Sequence, residues 1–142
     1  MPHKALKSSL LLGTLSMLLF VLSACSSAPA PITVTLTDYA IHMSSTTAKA
    51  GKITFRITNG SASDLLHEFV IIHTDDPFDK LPRDAEGNVD EEQLMSMGEQ
   101  GDIEAGKTVD LTVDLQPGHY LMICNLPGHF AEGMHIEFTV TP

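Results

Sequence analysis

The sequence predicts an all-β domain, and three observations carry that expectation. Four segments alternate apolar and polar residues with a period of two, turn signals separate them, and one stretch between them departs from the pattern. Period-two alternation marks a strand with one buried face. Short strands with regular turns imply a sandwich or a barrel. At 142 residues the chain is the size of one domain.

The first 24 residues do not belong to that pattern. His3, Lys4 and Lys7 make a basic start, and residues 10–22 form an apolar run without charge. The run has 13 residues, short of the roughly 20 that a membrane-spanning helix needs. A basic start, an apolar run and small residues at 23–24 read as a secretory signal peptide. The ending Leu22-Ser23-Ala24-Cys25 resembles the lipobox of bacterial lipoproteins. That resemblance implies cleavage before Cys25, a lipid on Cys25 and a membrane anchor facing the periplasm or the cell exterior. Residues 26–31 are small and Pro-rich, so 25–31 read as a lipidated cysteine and tether.

Removing residues 1–24 takes away Lys4 and Lys7 and leaves 6 Lys and Arg against 18 Asp and Glu, a formal charge of −12. So acidic a surface repels phosphates, which argues against nucleic acid as a partner. It suits a basic protein surface instead. With Cys25 acylated, Cys124 has no second thiol to pair with. An unpaired thiol in an exported protein calls for a reason, and a metal bond is one.

The domain proper is expected over 32–142. Residues 32–36 alternate with Ile32, Val34 and Leu36 on one face, and 52–58 with Ile53, Phe55 and Ile57. Residues 108–115 repeat the pattern with Val109, Leu111, Val113 and Leu115, and 135–141 with Ile136, Phe138 and Val140. An apolar strand begins at His67, and another runs over 120–124. Turns are signalled by Gly51, Asn59-Gly60, Gly106 and Pro117-Gly118. Residues 74–103 are acidic and rich in turn formers, and read as an insertion without a core of its own. Within it, 90–97 is expected to form two helical turns, with Asp90 as N-cap and Leu94 and Met97 as the apolar stripe.

The strongest chemical signal is Cys124-Asn125-Leu126-Pro127-Gly128-His129, followed by Met134. A thiolate, an imidazole and a thioether form a soft set that suits copper. Zinc rarely takes methionine, and calcium and magnesium want oxygen. Four residues separate Cys124 from His129, and four separate His129 from Met134. Turns at Pro127-Gly128 and Gly133 allow one loop to aim all three side chains at one ion. A buried core thiol, a loop histidine and a core methionine are the bland alternatives, and their shared register outweighs them. The remaining ligand must come from elsewhere, and His67, at the head of its strand after a polar loop, is the best candidate. His42, His73, His119 and His135 read as structural or surface residues. His73 would sit about 20 Å along the strand from His67. Met95 and Met97 read as padding of the insertion.

This tail resembles the cupredoxins, the blue (type 1) copper family of plastocyanin and azurin. The Cys-x-x-Pro-Gly-His run is similar to that of azurins, and the gap to Met134 is similar to that of rusticyanins and sulfocyanins. His67 matches the upstream histidine of the family motif. The resemblance covers about 32–142 and implies a Greek-key β-sandwich holding one copper ion that cycles between Cu(I) and Cu(II). Many members carry Asn or Ser after the first histidine to brace the metal loop, whereas Glu68 stands here. Its carboxylate either accepts backbone N–H groups in the same place or faces water. Asn125 is expected beside the Cys124 sulfur, where such contacts tune a metal.

Three functions compete for these residues. Single-electron transfer fits best, with His129 as the exit, Phe130 and Leu126 as an apolar docking patch, and a basic redox partner such as a cytochrome or oxidase. Storage or delivery of copper in the cell envelope is the alternative, although no Met or His cluster suited to rapid transfer is visible. A copper oxidase or nitrite reductase needs further histidine-bound copper, which one domain of this size does not offer, so the chain is expected not to be an enzyme. A metal-free adhesive sandwich is the remaining possibility.

Overall fold

The computed structural model describes residues 29–142, so the expected signal peptide and Cys25 lie outside the described residues. Nine strands form within them: β1 (Ile32–Thr37), β2 (Ala40–Met43), β3 (Thr47–Lys49), β4 (Gly51–Asn59), β5 (His67–His73), β6 (Met95–Ile103), β7 (Thr108–Leu115), β8 (Gly118–Ile123) and β9 (His135–Thr141). They build a four-stranded sheet of order β2-β1-β4-β7 and a five-stranded sheet of order β3-β9-β8-β5-β6. Pairing is antiparallel except at β1–β4 and β3–β9.

The alternating segments do what their period dictates. Val34 and Leu36 of β1, Ile53, Phe55 and Ile57 of β4, and Phe138 and Val140 of β9 are buried between the sheets. Phe55 lies at the centre, its ring centroid 5.6 Å from that of Phe69 and 5.6 Å from that of Phe138. β5 and β8 behave differently, because Phe69–Ile72 and Tyr120–Ile123 are buried on both faces. Their outer side chains Val70, Ile72, Leu121 and Ile123 form a second core with Leu81, Val89 and Phe130. Leu81 and Val89 come from the acidic stretch. That stretch therefore covers the outer face of the five-stranded sheet.

The expected helix is absent. Over 90–97 there is one 3-10 turn at Glu91–Gln93, after which Leu94 is extended and β6 begins at Met95. Asp90 makes no side-chain cap; its carboxylate accepts the Gln93 side-chain amide instead. The free edge of β5 offers a ladder of backbone partners, and Gly98 and Gly101 weaken any helix. Pairing with β5 carries irregularities between His67 and Phe69 and between Ile71 and Ile72, which erase a clean period in β6. Gly98 has a packing reason as well. A Cβ there would lie 2.8 Å from Val113 Cγ1, so any other residue would force Val113 to shift where β6 closes against β7 of the other sheet. Residues 95–103 are thus part of the sandwich, and the excursion proper is 74–94. Met97 packs on the main core, while Met95 is exposed.

Candidate metal centre

His67 opens β5, Cys124 follows β8, and Met134 immediately precedes β9. The β8–β9 ladder runs on into the loop between them, because Cys124 N–H donates to Met134 O at 3.0 Å. Inside the loop, His129 N–H donates to Leu126 O, Gly133 N–H to Phe130 O, and Met134 N–H to His129 O, at 2.9–3.1 Å. Gly128 and Gly133 take φ of +84° and +104°, conformations that L side chains resist. The two turns that the sequence signalled therefore fold the loop back on itself.

His67, Cys124 and His129 are brought together. His129 Nδ1 lies 3.3 Å from His67 Nδ1 and 3.3 Å from Cys124 Sγ, and His67 Nδ1 lies 3.8 Å from Cys124 Sγ. The centre of such a triangle is about 2 Å from every corner, close to the length of a bond from a metal to imidazole nitrogen or thiolate. Met134 is fully buried in the same core cluster as Cys124. His67 is fully buried too, and its Nε2 has no hydrogen-bond partner among the described residues. His129 is half-buried.

Burial sets the electrostatics of these groups. It holds His67 below the ordinary imidazole value, reinforced by His129 and opposed by the charge of Asp38. It lowers His129 in the same way. It raises the Cys124 thiol, against the pull of backbone N–H groups of Glu68 and Leu126. The metal-free site at neutral pH thus presents two uncharged imidazoles and a protonated thiol. A metal entering it displaces the thiol proton, so its binding weakens as pH falls.

Glu68 braces the loop. Its backbone N–H donates to Cys124 Sγ at 3.4 Å, and its carboxylate accepts Asn125 N–H at 2.8 Å. Of the two options open in the sequence, the structure takes the brace. Burial raises the Glu68 pKa, the Asn125 bond pulls it down, and Glu91, Glu99 and Asp102 push it up again. The side chain of Asn125 does not hydrogen-bond the sulfur. It turns away from Cys124 to bond Val89 and Glu91 in the excursion.

Phe130 is not part of an exposed patch. It is 3% exposed, sits in the second core, and has Arg83 4.2 Å above its ring. The apolar surface on the half-buried histidine comes from Tyr39, which is 48% exposed and meets the His129 ring edge-on at 5.6 Å. Leu66, beside His67, is 45% exposed, and Leu126 is half-buried against the main core. Tyr39 drew no attention in the sequence, because its turn signal, Asp38-Tyr39, is weak.

Two further polar groups hold the approach to His67. Asn59, fully buried, donates to Leu65 O and Ile103 O and accepts Ser61 N–H. Asp38 accepts both Ser61 and Ser63 hydroxyls and Ala62 N–H, which lowers its pKa. Together they tie residues 60–66 to β4, β6 and the turn that carries Tyr39. The other histidines stand apart from the triangle: His73 rests on Tyr120, and His135 stacks on Phe78 at 4.1 Å.

The family model of the cupredoxin-like domain matches residues 10–136. Among solved structures, a reduced auracyanin from Roseiflexus castenholzii is 21% identical, covers 82% of this chain and 100% of its own, and superposes with a TM-score of 0.60. An azurin from Methylomonas sp. strain J is 16% identical over 81% of this chain and 100% of its own, with a TM-score of 0.56. Rusticyanin from Thiobacillus ferrooxidans is 19% identical over 79% of this chain and 77% of its own, with a TM-score of 0.54. At these identities the likeness concerns the fold. No curated protein sequence matches.

Proposed function

The chain belongs to the cupredoxin-like domain family, and from that premise we propose that it is a one-electron carrier whose single copper ion is held by His67, Cys124, His129 and Met134. The observation that carries this reading is the triangle of two Nδ1 atoms and one Sγ with sides of 3.3–3.8 Å. Two imidazoles and a thiolate in such a triangle, with a methionine beside them, are the donors of a blue-copper centre. Copper bound there supplies one-electron chemistry. The protein supplies rigidity: a buried, braced set of donors that need not rearrange keeps the energy of electron transfer low.

Half-buried His129 is the way out for the electron. Tyr39 and Leu66 supply exposed apolar surface at that end, and the acidic body orients a basic partner such as a cytochrome or oxidase. Storage or delivery of copper would use the same donors but needs them to let go readily. Titration with Cu(II) is expected to saturate at one equivalent with an intense visible band, and voltammetry to show one reversible one-electron wave. A colourless complex that surrenders its copper within seconds to a mild chelator would favour delivery and overturn the carrier.

We also propose that the chain is exported as a lipoprotein anchored through Cys25, facing the periplasm or the cell exterior. The support is the basic start, the apolar run and the Leu-Ser-Ala-Cys ending at 22–25. Cells grown with radioactive fatty acid are expected to label the mature protein, and Cys25→Ser to lose the label. Label retained by Cys25→Ser would refute the anchor.

A further inference from the structure

The excursion 74–94 does more than cover a sheet. It touches the loop between Cys124 and β9 at several points. Val89 and Phe130 share the second core. Arg83 lies over the Phe130 ring, and Phe78 stacks on His135, the first residue of β9 after the loop. Asn88 Oδ1 accepts Gly128 N–H at 3.4 Å. The most specific contact is Asn125. Its Oδ1 accepts Val89 N–H at 2.8 Å, and its Nδ2 donates to Val89 O at 2.8 Å and to Glu91 Oε1 at 2.8 Å. One side chain thereby satisfies both backbone groups of a buried residue, as a neighbouring strand would.

Asn125 also faces the other way. Its own backbone N–H donates to the Glu68 carboxylate, whose backbone N–H donates to Cys124 Sγ. A continuous set of hydrogen bonds therefore runs from the excursion, through Asn125 and Glu68, to the thiol.

We infer that the excursion is a latch that holds the metal loop in its binding geometry, and that Asn125 is the positioning residue through which it acts. The geometry makes the latch independent of metal, because every bond in it joins protein groups. Without the Asn125 side chain, Val89 N–H and O lose their partners, and the loop keeps its inner brace to Glu68 and the looser contacts of Gly128 and Phe130 with the excursion. The loop then opens more often, while the two sheets, whose strand ladders do not involve the Asn125 side chain, stay closed. The consequence for copper rests on the electron-carrier proposal. The consequence for the metal-free loop does not.

The test uses the full chain, metal-free and copper-loaded, with Asn125→Ala, Asn125→Asp and Glu91→Ala. In metal-free Asn125→Ala, the amides of 125–134 are expected to exchange hydrogen for deuterium at least about tenfold faster, with the strand amides unchanged. In the loaded protein, copper loss to a Cu(I) chelator is expected to quicken by about tenfold or more, with a shifted reduction potential. Asn125→Asp has the same shape but cannot donate, and sets a carboxylate against Val89 O and Glu91. It is expected to be at least as open as Asn125→Ala. Glu91→Ala removes one acceptor only and is expected to fall between the wild type and Asn125→Ala. It also serves if Asn125→Ala does not fold. Exchange in the loop unchanged in the folded variants, or quickened equally throughout the sandwich, would overturn the latch. Wild-type Asn125→Asp behaviour would overturn it as well, since shape alone would then suffice. A wild-type protein that binds no copper would end the carrier proposal and leave the exchange test standing.

Discussion

Cys124→Ser is expected to abolish the intense visible band of the copper-loaded protein while leaving a folded sandwich. The hydroxyl has nearly the shape of the thiol and can accept the Glu68 N–H that now points at Sγ at 3.4 Å. It is a hard donor that stays protonated near neutral pH, so it cannot supply the soft, electron-rich ligand that a thiolate gives. Two imidazoles remain, and weak Cu(II) binding without strong colour is the expected state. The fold should lose no more than about 1–3 kcal/mol, the scale of one imperfectly satisfied buried polar group. Absorption spectra after copper addition, with far-ultraviolet circular dichroism of the metal-free protein, read both effects. A blue band that survives in Cys124→Ser would remove Cys124 from the ligand set.

Phe55→Ala should have the largest effect on stability of any single core truncation. Phe55 is fully buried, on a central strand of its sheet, with Phe69 and Phe138 packed against it from the other sheet. Truncating such a ring costs about 3–5 kcal/mol, of a total near 5–15 kcal/mol for a domain. Urea denaturation of the metal-free variant is expected to show that loss. Bound copper should raise the stability of wild type and variant alike, by about 4 kcal/mol at a thousand times its dissociation constant, and leave the difference between them. A loss under about 1 kcal/mol in the metal-free protein would mean that the two sheets do not depend on this contact.

Period-two alternation identified β1, β4, β7 and β9 almost to the residue. It missed β2 and β3, which have only four and three residues. It missed β6 because bulges, two glycines and acidic residues hide the period. The unbroken apolar runs of β5 and β8 held an unused signal: a strand buried on both faces needs a second layer. That layer is the excursion, whose Leu81 and Val89 are too few to stand out in an acidic stretch. The metal loop was legible because Cys124, His129 and Met134 lie within one short segment, where spacing and chemistry can be read together. His67 required the sheet topology, which brings residues 62 apart in sequence to 3.3 Å. The side chain of Asn125 was misplaced because its partners lie 34 and 36 residues away in a segment that showed no fixed structure. Tyr39 reaches His129 only because β1 and β2 turn at that end of the sandwich.

The polarity of the outer strands has a practical consequence. β1 runs toward the metal end and delivers the turn that bears Tyr39, while β9 starts beside Met134 and runs away from it. Thr141 and Pro142 finish against Ala50 and Lys49, at the opposite end of the sandwich. Both ends of the described chain therefore lie roughly 20 Å from the triangle, a strand's length away. A surface or a fused domain joined after Pro142 would leave the His129 face uncovered. The polarity of the strands thus sets the points of attachment and the His129 face at opposite ends of the sandwich.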